Sequence, residues 1–249
     1  MKTLLLRLVT TAAFVGLWWW STDILSADNP IISNMSPVDA LGALARFIEA
    51  GSIWNAISVT LTRLGLGLAI ATVLGVLIGW VLGSYRLAEQ SSSIVVQFLR
   101  MVSPLSWAPV AIVLFGIGSA PVVFLIAIAA IWPIALNTSA GIKSLNPDWL
   151  LLARSLGATR GEALRTIVLP AVRGHVLTGL RLALGVAWIV LVPAEMLGVD
   201  SGLGYEILSA RDNMDYAGLA AVMLLIGLLG FAMDLLAQSL FKRWAAATA

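Results

Sequence analysis

The sequence lacks most of the residues on which metal and covalent chemistry depend. It has no cysteine and a single histidine, His175. The lack of cysteine excludes disulfides and cysteine-ligated zinc, and one histidine cannot supply several imidazole ligands to a metal ion. We interpret His175 as a loop residue at a membrane surface. No nucleophile with a neighbouring base and no cluster of carboxylates is recognisable, so we predict no catalytic residue and no metal site.

Charged residues are also scarce. They make up 11% of the 249 positions, whereas hydrophobic residues make up 60%. Soluble domains carry about a quarter of charged residues. The composition therefore predicts a protein that crosses a membrane several times and contacts lipid. The formal net charge of +2 is too small to indicate a nucleic-acid partner.

The hydrophobic runs predict six transmembrane helices, because a spanning helix needs roughly 20 apolar residues. The predicted spans are 4–20, 59–83, 94–116, 121–141, 176–198 and 217–240. Trp18, Trp19 and Trp20 indicate an aromatic belt at the far end of a first span that is retained rather than cleaved. The segment 38–56 is too polar to span, and its apolar spacing predicts an amphipathic helix on the outer membrane surface.

Lysine and arginine favour cytoplasmic loops, and their distribution predicts the orientation of the chain. With the N-terminus inside, only Arg46 and Arg211 fall in outer segments. The basic residues of the inner segments are Lys2, Arg7, Arg86, Lys143, Arg154, Arg160, Arg165, Arg173, Lys242 and Arg243. We therefore predict an inner-membrane protein with both termini in the cytoplasm.

One polar stretch, residues 146–170, interrupts the apolar chain and is called the polar hairpin below. Its sequence is NPDWLLLARSLGATRGEALRTIVLP. Asn146 followed by Pro147 predicts a helix start, and Gly157 predicts the left-handed residue that ends this helix. The apolar residues at helical spacing predict one apolar face, formed by Trp149, Leu152, Ala153 and Leu156.

The second half of the polar hairpin predicts another short helix. Thr159 and Glu162 form a capping-box pattern that opens it, and Pro170 is expected to stop it near Leu169. The product is two amphipathic helices bent around Gly157, with arginines around an apolar face. Such a face favours a groove on a partner protein. The alternative is an amphipathic loop that lies on the anionic inner leaflet.

The polar hairpin resembles the EAA loop of binding-protein-dependent ABC importer permeases. That pattern is Glu-Ala-Ala, three residues, Gly, nine residues, Ile, one residue and Leu-Pro. The positions that match, with both spacings kept, are Ala153, Gly157, Ile167, Leu169 and Pro170. Leu151 and Leu152 stand in the places of Glu and the first Ala, which implies a more apolar contact with the ATPase.

The resemblance assigns ATPase coupling to nine residues of the polar hairpin. They are Leu151, Leu152, Ala153, Gly157, Ala158, Glu162, Ile167, Leu169 and Pro170. Stretches such as ARSLGATR and TGLRLALGVAWIVLVPAEMLG are similar to the nitrate, sulfonate and taurine branch of these permeases. The resemblance covers roughly residues 58–240 and implies an all-α, MetI-like fold with six transmembrane helices.

The resemblance also implies the organisation of the chain and its partners. Residues 1–57 would hold the first helix and the outer-surface segment, 58–240 the permease core, and 241–249 a short cytoplasmic tail. In that family two copies of the permease form the pore. Two ATPase subunits dock on the EAA loops, and an extracytoplasmic binding protein delivers the solute.

The chain would then work without a cofactor of its own. It lacks the phosphate loop Gly-x-x-x-x-Gly-Lys-Ser/Thr, which agrees with ATP and magnesium being bound by the ATPase partner. The resemblance implies import of a small anionic solute by alternating access. A passive channel, an integral membrane enzyme and a membrane scaffold are the alternatives.

A stripe in the third predicted span is our prediction for the translocation path. Gln97, Arg100, Pro104 and Trp107 fall on one helical face. A charge inside a bilayer costs about 3 kcal/mol on insertion scales, and Pro104 frees backbone groups that need protein or water. The alternative is that Arg100 extends to the inner surface and that Trp107 packs between helices.

Further charged residues lie in or near the predicted spans. The predicted path includes Arg63, Arg181 and Glu195. Their positions place Arg63 and Glu195 at outer ends of spans and Arg181 at an inner end. Asp234 is expected to pair at the inner boundary.

Small residues recur every four positions along the second predicted span. They are Ala71, Gly75, Gly79 and Gly83. This spacing predicts close contact between helices, and a sliding surface is the functional alternative. The later stretch SGLGYEILSARDNMDY predicts a short charged helix that faces the binding protein or forms an outer gate, with an ordinary polar loop as the alternative.

Overall fold

A computed structural model describes residues 2–26 and 28–246 of the chain. Every regular element in these residues is helical, which confirms the predicted all-α class. The α-helices are α1 Lys2–Trp19, α2 Pro30–Ser33, α3 Pro37–Glu49, α4 Ser52–Ser84, α5 Arg86–Met101, α6 Ala108–Phe115, α7 Ser119–Lys143, α8 Pro147–Ser155, α9 Arg160–Ala163, α10 Leu169–Glu195, α11 Leu203–Asp212 and α12 Tyr216–Ala246. The chain divides into two compact units, Met1–Thr60 with Val199–Leu229 and Leu61–Gly198 with Gly230–Ala249.

Four helical segments of the described residues are long and apolar enough to cross a membrane. They are Ser52–Ser84, Ser119–Lys143, Arg160–Glu195 and Tyr216–Leu240. These segments contain the second, fourth and sixth predicted spans and most of the fifth. The count rises to five if α5 and the helical segment Pro104–Phe115 that follows it together cross the membrane once. The described residues thus hold four or five spans by length and composition, instead of the six that the hydrophobic runs predict.

The third predicted span, 94–116, is not one helix. Helix α5 ends at Met101, and the helical segment Pro104–Phe115 follows it at an angle of 90°. Proline forces the residue before it out of the helical region, and Val102 and Ser103 are accordingly extended, with ψ angles of 124° and 129°. The prediction of a continuous stripe from Gln97 to Trp107 was therefore wrong, although Pro104 carried the signal for the break.

The first predicted span, 4–20, is helical but does not qualify as a span by length and composition. Helix α1 covers 18 residues, includes Lys2 and Arg7, and passes into a π-helical turn at Trp20–Ile24. The two basic residues lower the hydropathy of an already short helix. The indole Nε of Trp18 donates a hydrogen bond to the carbonyl of Met35 at 3.1 Å. This tryptophan is therefore also bound to the loop before α3.

The predicted surface segment 38–56 is helical in two separate pieces. Ser36 caps α3 by accepting a hydrogen bond from the backbone N–H of Asp39 at 3.2 Å. Gly51, with φ of +74°, then separates α3 from α4. The last five residues of the predicted segment therefore begin the long helix α4. The sequence prediction placed no boundary at Gly51, although a left-handed glycine is the common way to end a helix.

The smaller unit has its own apolar cluster. Ile53, Ala56, Leu203 and Val222 are its buried residues. The hydroxyl of Thr60 accepts a hydrogen bond from the backbone N–H of Leu203 at 2.8 Å, which anchors the start of α11. Helix α11 confirms the short helix that the sequence predicts in the stretch SGLGYEILSARDNMDY. Within this helix, partial burial raises the pKa of the Glu206 carboxyl.

Helix α7 forms the centre of the larger unit. Its buried side chains include Leu125, Ile126, Ile134 and Ala135. The glycine stripe of α4 lies against this helix, because Gly75 faces Ile134 and Gly79 faces the carbonyl of Ala135. A Cβ atom at these glycines would collide with α7. The structure thus confirms the predicted close helix contact.

Candidate coupling surface and transport cavities

Helix α8 is defined at both ends by the residues that the sequence singles out. The Asn146 side chain accepts a hydrogen bond from the backbone N–H of Asp148 at 2.9 Å. At the other end Gly157 has φ of +80°. The backbone N–H groups of Gly157 and Ala158 donate to the carbonyls of Arg154 and Ala153, each at 3.0 Å. This is the Schellman arrangement, and it confirms Gly157 as the bend in the polar hairpin.

The second half of the hairpin opens with the predicted capping box. The backbone N–H of Glu162 donates to the Thr159 hydroxyl at 3.3 Å, and the backbone N–H of Thr159 donates to the Glu162 carboxylate at 2.7 Å. Two free N–H groups at the helix start are thereby satisfied. Glu162 therefore has a local structural role in fixing where α9 begins.

Pro170 does not stop this helix, contrary to the sequence prediction. A helical segment continues from Arg160 to Glu195 and passes through a π-helical turn at Leu164–Val168. In a regular α-helix the proline ring collides with the carbonyl four residues earlier. The backbone N–H of Leu169 instead donates to Leu164, five residues back, and this wider turn accommodates Pro170.

The two halves of the polar hairpin form one apolar groove of about 320 Å³. Its lining residues are Trp149, Leu152, Ala153, Leu156, Ala158 and Ile167. Ala153 lies buried at the base, whereas Leu152 and Leu156 are 60% and 78% exposed. Two positions of the EAA pattern, Ala153 and Ile167, therefore meet in one groove. Leu151, Leu169 and Pro170 are also exposed.

Charged side chains surround this apolar groove. Arg154, Arg160 and Arg165 are all exposed on the same hairpin. The combination of an unfilled apolar groove with arginines is typical of a docking surface for another protein, since exposed apolar patches mark interaction sites. It also suits an anionic lipid surface, so the geometry of the hairpin alone leaves both interpretations open.

Two cavities meet at Arg100, near the C-terminal end of α5. The first has a volume of about 230 Å³ and is bordered by Arg100, Pro104 and Trp107, together with Trp132 and Pro133 of α7. Three of the four stripe residues thus meet at a cavity even though they do not share one helix. The break at residues 102 and 103 aims Pro104 and Trp107 back toward Arg100.

The second cavity, called the polar cavity below, measures about 400 Å³. Its polar lining residues are Glu89, Ser92, Ser93, Gln97, Arg100, Ser139 and Lys143. Arg100 therefore borders both cavities, and Gln97 borders this one. The sequence prediction did not include Ser139, Glu89 or Lys143, because helical spacing on α5 carries no information about which residues of α7 face it.

Arg63 and Glu195 form a buried ion pair that the sequence did not reveal. The guanidinium Nη1 lies 2.8 Å from the Glu195 Oε1, and the side chains are 4% and 0% exposed. The Nε of Arg63 also donates to the Ser119 hydroxyl at 3.0 Å. The pair joins α4 to α10 across 132 positions of sequence. No local pattern could predict it.

Arg181 also lies in an ion pair. Its Nε is 3.3 Å from the Asp234 Oδ1, and both side chains are about half exposed. The amide of Gln238 donates to the other carboxylate oxygen of Asp234 at 2.6 Å. Asp234 is thus paired with a residue of α10. The side chains of Lys242 and Arg243, near the end of the chain, lie outside the described part of the structure.

His175 lies inside α10 and not in a loop, which corrects the sequence interpretation. Its ring packs against the backbone of Gly141 on α7, and its Nε2 is 3.4 Å from the Ser144 hydroxyl. The continuation of the helix through Pro170 places this residue in a regular helical turn.

Long apolar helices, a span broken beside a cavity and a hairpin with an exposed groove together fit a membrane component of a transport system. The chain belongs to the family of binding-protein-dependent transport system inner membrane components, whose family model matches residues 71–246. It is accordingly a multi-pass inner-membrane permease and not an enzyme. This finding decides against the passive channel, the membrane enzyme and the scaffold.

Three curated relatives show the branch of the family. The bicarbonate transport system permease protein CmpB of Synechococcus elongatus is 33% identical over 199 residues, which cover 79% of this chain and 70% of the relative. The nitrate import permease protein NrtB of the same organism is 30% identical over 247 residues, covering 94% and 87%. The taurine transport system permease protein TauC of Escherichia coli is 29% identical over 240 residues, covering 94% and 87%.

Solved structures with a similar fold are also ABC importers. An inward-facing methionine ABC transporter, MetNI, has a TM-score of 0.62 and 17% identity, covering 79% of this chain and 96% of that one. A bacterial ABC transporter that imports the acidic polysaccharide alginate has a TM-score of 0.64 and 15% identity, covering 95% and 96%. At these identities the comparison shows the fold, and it confirms the predicted MetI-like architecture.

Proposed function

We propose that this chain forms the pore of an ATP-driven importer for a small anion. Two copies of the chain would form the pore, and an extracytoplasmic binding protein would deliver the solute. Two ATPase subunits, which carry ATP and magnesium, would drive alternating access from the cytoplasmic side, where both termini lie. The relatives described as bicarbonate, nitrate and taurine permeases support an anionic or zwitterionic oxyacid as the solute.

The apolar groove of the polar hairpin is the observation that carries this proposal. It needs a partner that supplies apolar side chains, and a separate ATPase is the partner that a chain without a phosphate loop requires. Leu152 lines the groove where the family pattern has a small alanine, and the exposed Leu151 stands where that pattern has glutamate. The ATPase surface that docks here is therefore expected to be more apolar than one that receives a glutamate.

The proposed translocation path runs past the two cavities that Arg100 borders. Gln97, Arg100, Pro104 and Trp107 border these cavities. The remaining predicted path residues act through ion pairs, which are Arg63 with Glu195 and Arg181 with Asp234. An exchange of partners in these pairs would accompany the change between outward-open and inward-open states.

Replacing Gly157 tests the coupling role of the polar hairpin. A valine cannot adopt a φ of +80° without strain, because β-branched residues are the least tolerant of this region. We expect Gly157→Val to displace α8 and to abolish solute uptake while the ATPase subunits still hydrolyse ATP. The measurement is ATP hydrolysis and uptake by the complete transporter in proteoliposomes.

Gly161→Ala is the matched control on the same hairpin. A Cβ at Gly161 meets nothing within 4 Å, and this glycine lies in the regular helix α9. The control should retain coupled uptake. Normal coupling in Gly157→Val would contradict the proposed role of the hairpin.

The solute class is tested separately in cells that carry the whole transporter. Uptake of labelled nitrate, bicarbonate and taurine is compared between cells with the permease gene and cells without it. Gene-dependent uptake of nitrate or bicarbonate supports an anionic solute, and gene-dependent uptake of taurine supports a zwitterionic oxyacid. The absence of any dependence for all three would overturn the proposed solute class.

A further inference from the structure

The polar cavity contains three side chains with unused hydrogen-bonding capacity. They are Gln97 and Arg100, which lie one turn apart on α5, and Ser139 on the facing helix α7. Among residues 2–26 and 28–246, none forms a hydrogen bond or an ion pair with any of these three side chains. Ser139 is only 5% exposed, so its hydroxyl is available to the cavity but hardly to the outside.

The other polar side chains of the cavity have partners. Lys143 and Glu89 form an ion pair. The hydroxyls of Ser92 and Ser93 donate to the carbonyls of Ala88 and Gln90 on their own helix. The ion pair is neutral as a whole. The cavity therefore carries one uncompensated positive charge, which is that of Arg100.

We propose that the polar cavity is a binding site for a small oxyanion, held by the guanidinium of Arg100 with Gln97 and Ser139 as additional donors. This inference deepens the proposed function and rests on it, because it assigns the solute a site within the permease itself. A guanidinium donates two parallel hydrogen bonds to a carboxylate or a comparable oxyanion. The amide of Gln97 and the hydroxyl of Ser139 then supply the donors that water would otherwise provide.

The dimensions and the composition of the cavity suit such a ligand. A volume of about 400 Å³ holds a small anion with part of its water shell. Gln97 and Arg100 are exposed, and the rest of the lining includes apolar residues such as Leu82, Val96 and Leu136. Low polarity around a single charge strengthens its attraction for an anion. The site should therefore exclude cations strongly, whereas it should distinguish one oxyanion from another only weakly.

Arg100 also gives the site a connection to the rest of the path. The same side chain borders the first cavity, beside Trp107 and Pro104. An anion that leaves the first cavity would thus meet the guanidinium before it enters the polar cavity. Arg100 lies in the last turn of α5, just before the 90° break, and it borders both cavities.

A cysteine at position 97 reports the charge of the cavity directly, because the chain has no other cysteine. The complete transporter in inverted membrane vesicles would be treated with an anionic and a cationic methanethiosulfonate reagent of similar size. We expect Gln97→Cys to react faster with the anionic sulfonatoethyl reagent. The ratio of the two rates should fall about fivefold when Arg100→Gln is added, since a single charge in a cleft concentrates anions.

Ser91→Cys is the matched control on the same helix. Ser91 is exposed and lies six positions before Gln97, outside the set of residues that line the polar cavity among those described. Its rate ratio should not respond to Arg100→Gln. An equal ratio at both positions, or a ratio at position 97 that Arg100→Gln leaves unchanged, would overturn the anion site.

Uptake kinetics distinguish a failure of this site from a failure of the proposed function. With whichever of nitrate, bicarbonate or taurine the unchanged transporter imports, Arg100→Gln should raise the KM for transport about tenfold or more. Arg100→Lys should recover part of the lost affinity, because it restores the positive charge but not the two parallel hydrogen bonds of the guanidinium. An unchanged KM in Arg100→Gln, with uptake present, would refute the site alone. If the unchanged transporter imports none of the three, the proposed solute class fails, whereas the cysteine reactivity still tests the charge of the cavity.

Discussion

Arg63 and Glu195 illustrate how a charge is tolerated inside an apolar chain. Each would be costly on its own, because a buried charge loses its hydration. Together with the Ser119 hydroxyl they satisfy one another in a site that excludes water. Such a pair contributes little net stability compared with apolar packing, but the loss of one member leaves the other uncompensated.

Glu195→Gln should therefore destabilise the protein strongly. Removing one partner of a buried ion pair costs about 3–5 kcal/mol, and this substitution leaves the Arg63 charge buried. Asp234→Asn is the control, because the Arg181–Asp234 pair is about half exposed and such pairs contribute less than about 1 kcal/mol. The measurement is the thermal unfolding midpoint of each purified variant in one detergent. Equal shifts for the two variants would show that burial of the first pair has no energetic consequence.

The position of helix α4 depends on the glycines along one of its faces. Small residues every four positions leave one face of the helix without side chains, and α7 packs directly on that face. The same helix also carries Gly65, where an added Cβ atom would meet nothing within 4 Å. The helix thus contains glycines that pack against α7 and at least one, Gly65, where an added Cβ atom would contact no other helix of the chain within the described residues.

Gly79→Ala should separate α4 from α7. The added methyl group would collide with the carbonyl of Ala135 and with Thr138, which are part of the facing helix. Overpacking of this kind costs about 1–3 kcal/mol. Gly65→Ala should have no such effect and should favour the helix slightly. The unfolding midpoints of the two variants measure the difference, and a midpoint for Gly79→Ala as high as that of Gly65→Ala would argue against close packing at this position.

Both departures from regular helix arise at prolines, with opposite outcomes. Before Pro104 the chain becomes extended and turns by 90°, whereas before Pro170 the helix widens to a π-turn and continues. Proline forbids the same regular hydrogen bond in both cases. Whether the helix breaks or continues depends on the packing around it. From the sequence we expected a continuous span through Pro104 and a helix end at Pro170.

The arrangement of the whole chain in the membrane gives a further test. The basic residues predict that the polar hairpin and both termini are cytoplasmic and that the loop after α11 is outside. A membrane-impermeant thiol reagent should label Asn213→Cys in intact cells. Ser155→Cys, exposed on α8, should be labelled only in inverted vesicles. Because the chain has no native cysteine, label found on the chain after its purification reports the introduced position alone.

An N-terminal epitope tag tests the role of α1 in the same cells. The tag should be protected from external protease if α1 spans the membrane, as the predicted topology requires. Digestion of the tag from outside, with Ser155→Cys still labelled only from the inner side, would show that α1 does not cross. The number of spans would then be the five that length and composition allow.

The sequence by itself determined the helical class, the position of four membrane spans, both ends of α8 and the start of α9. These features depend on local properties: apolar runs, the capping side chains of Asn146 and Thr159, and the left-handed Gly157. The spacing of Ala153, Gly157 and Ile167 also identified the family without any contact being known. Local chemistry is readable because its partners lie within a few residues along the chain.

Only the tertiary structure decided which distant residues meet. It paired Arg63 with Glu195, brought Ile167 to the groove of α8, and placed Ser139 opposite Arg100 in one cavity. Many pairings of helix faces satisfy the same hydrophobic pattern, and the choice among them is made by side-chain packing over the whole unit. For that reason helical spacing could propose path residues along one stretch of chain, whereas the cavities that these residues border depended on the packing of α5 and residues 104–107 against α7.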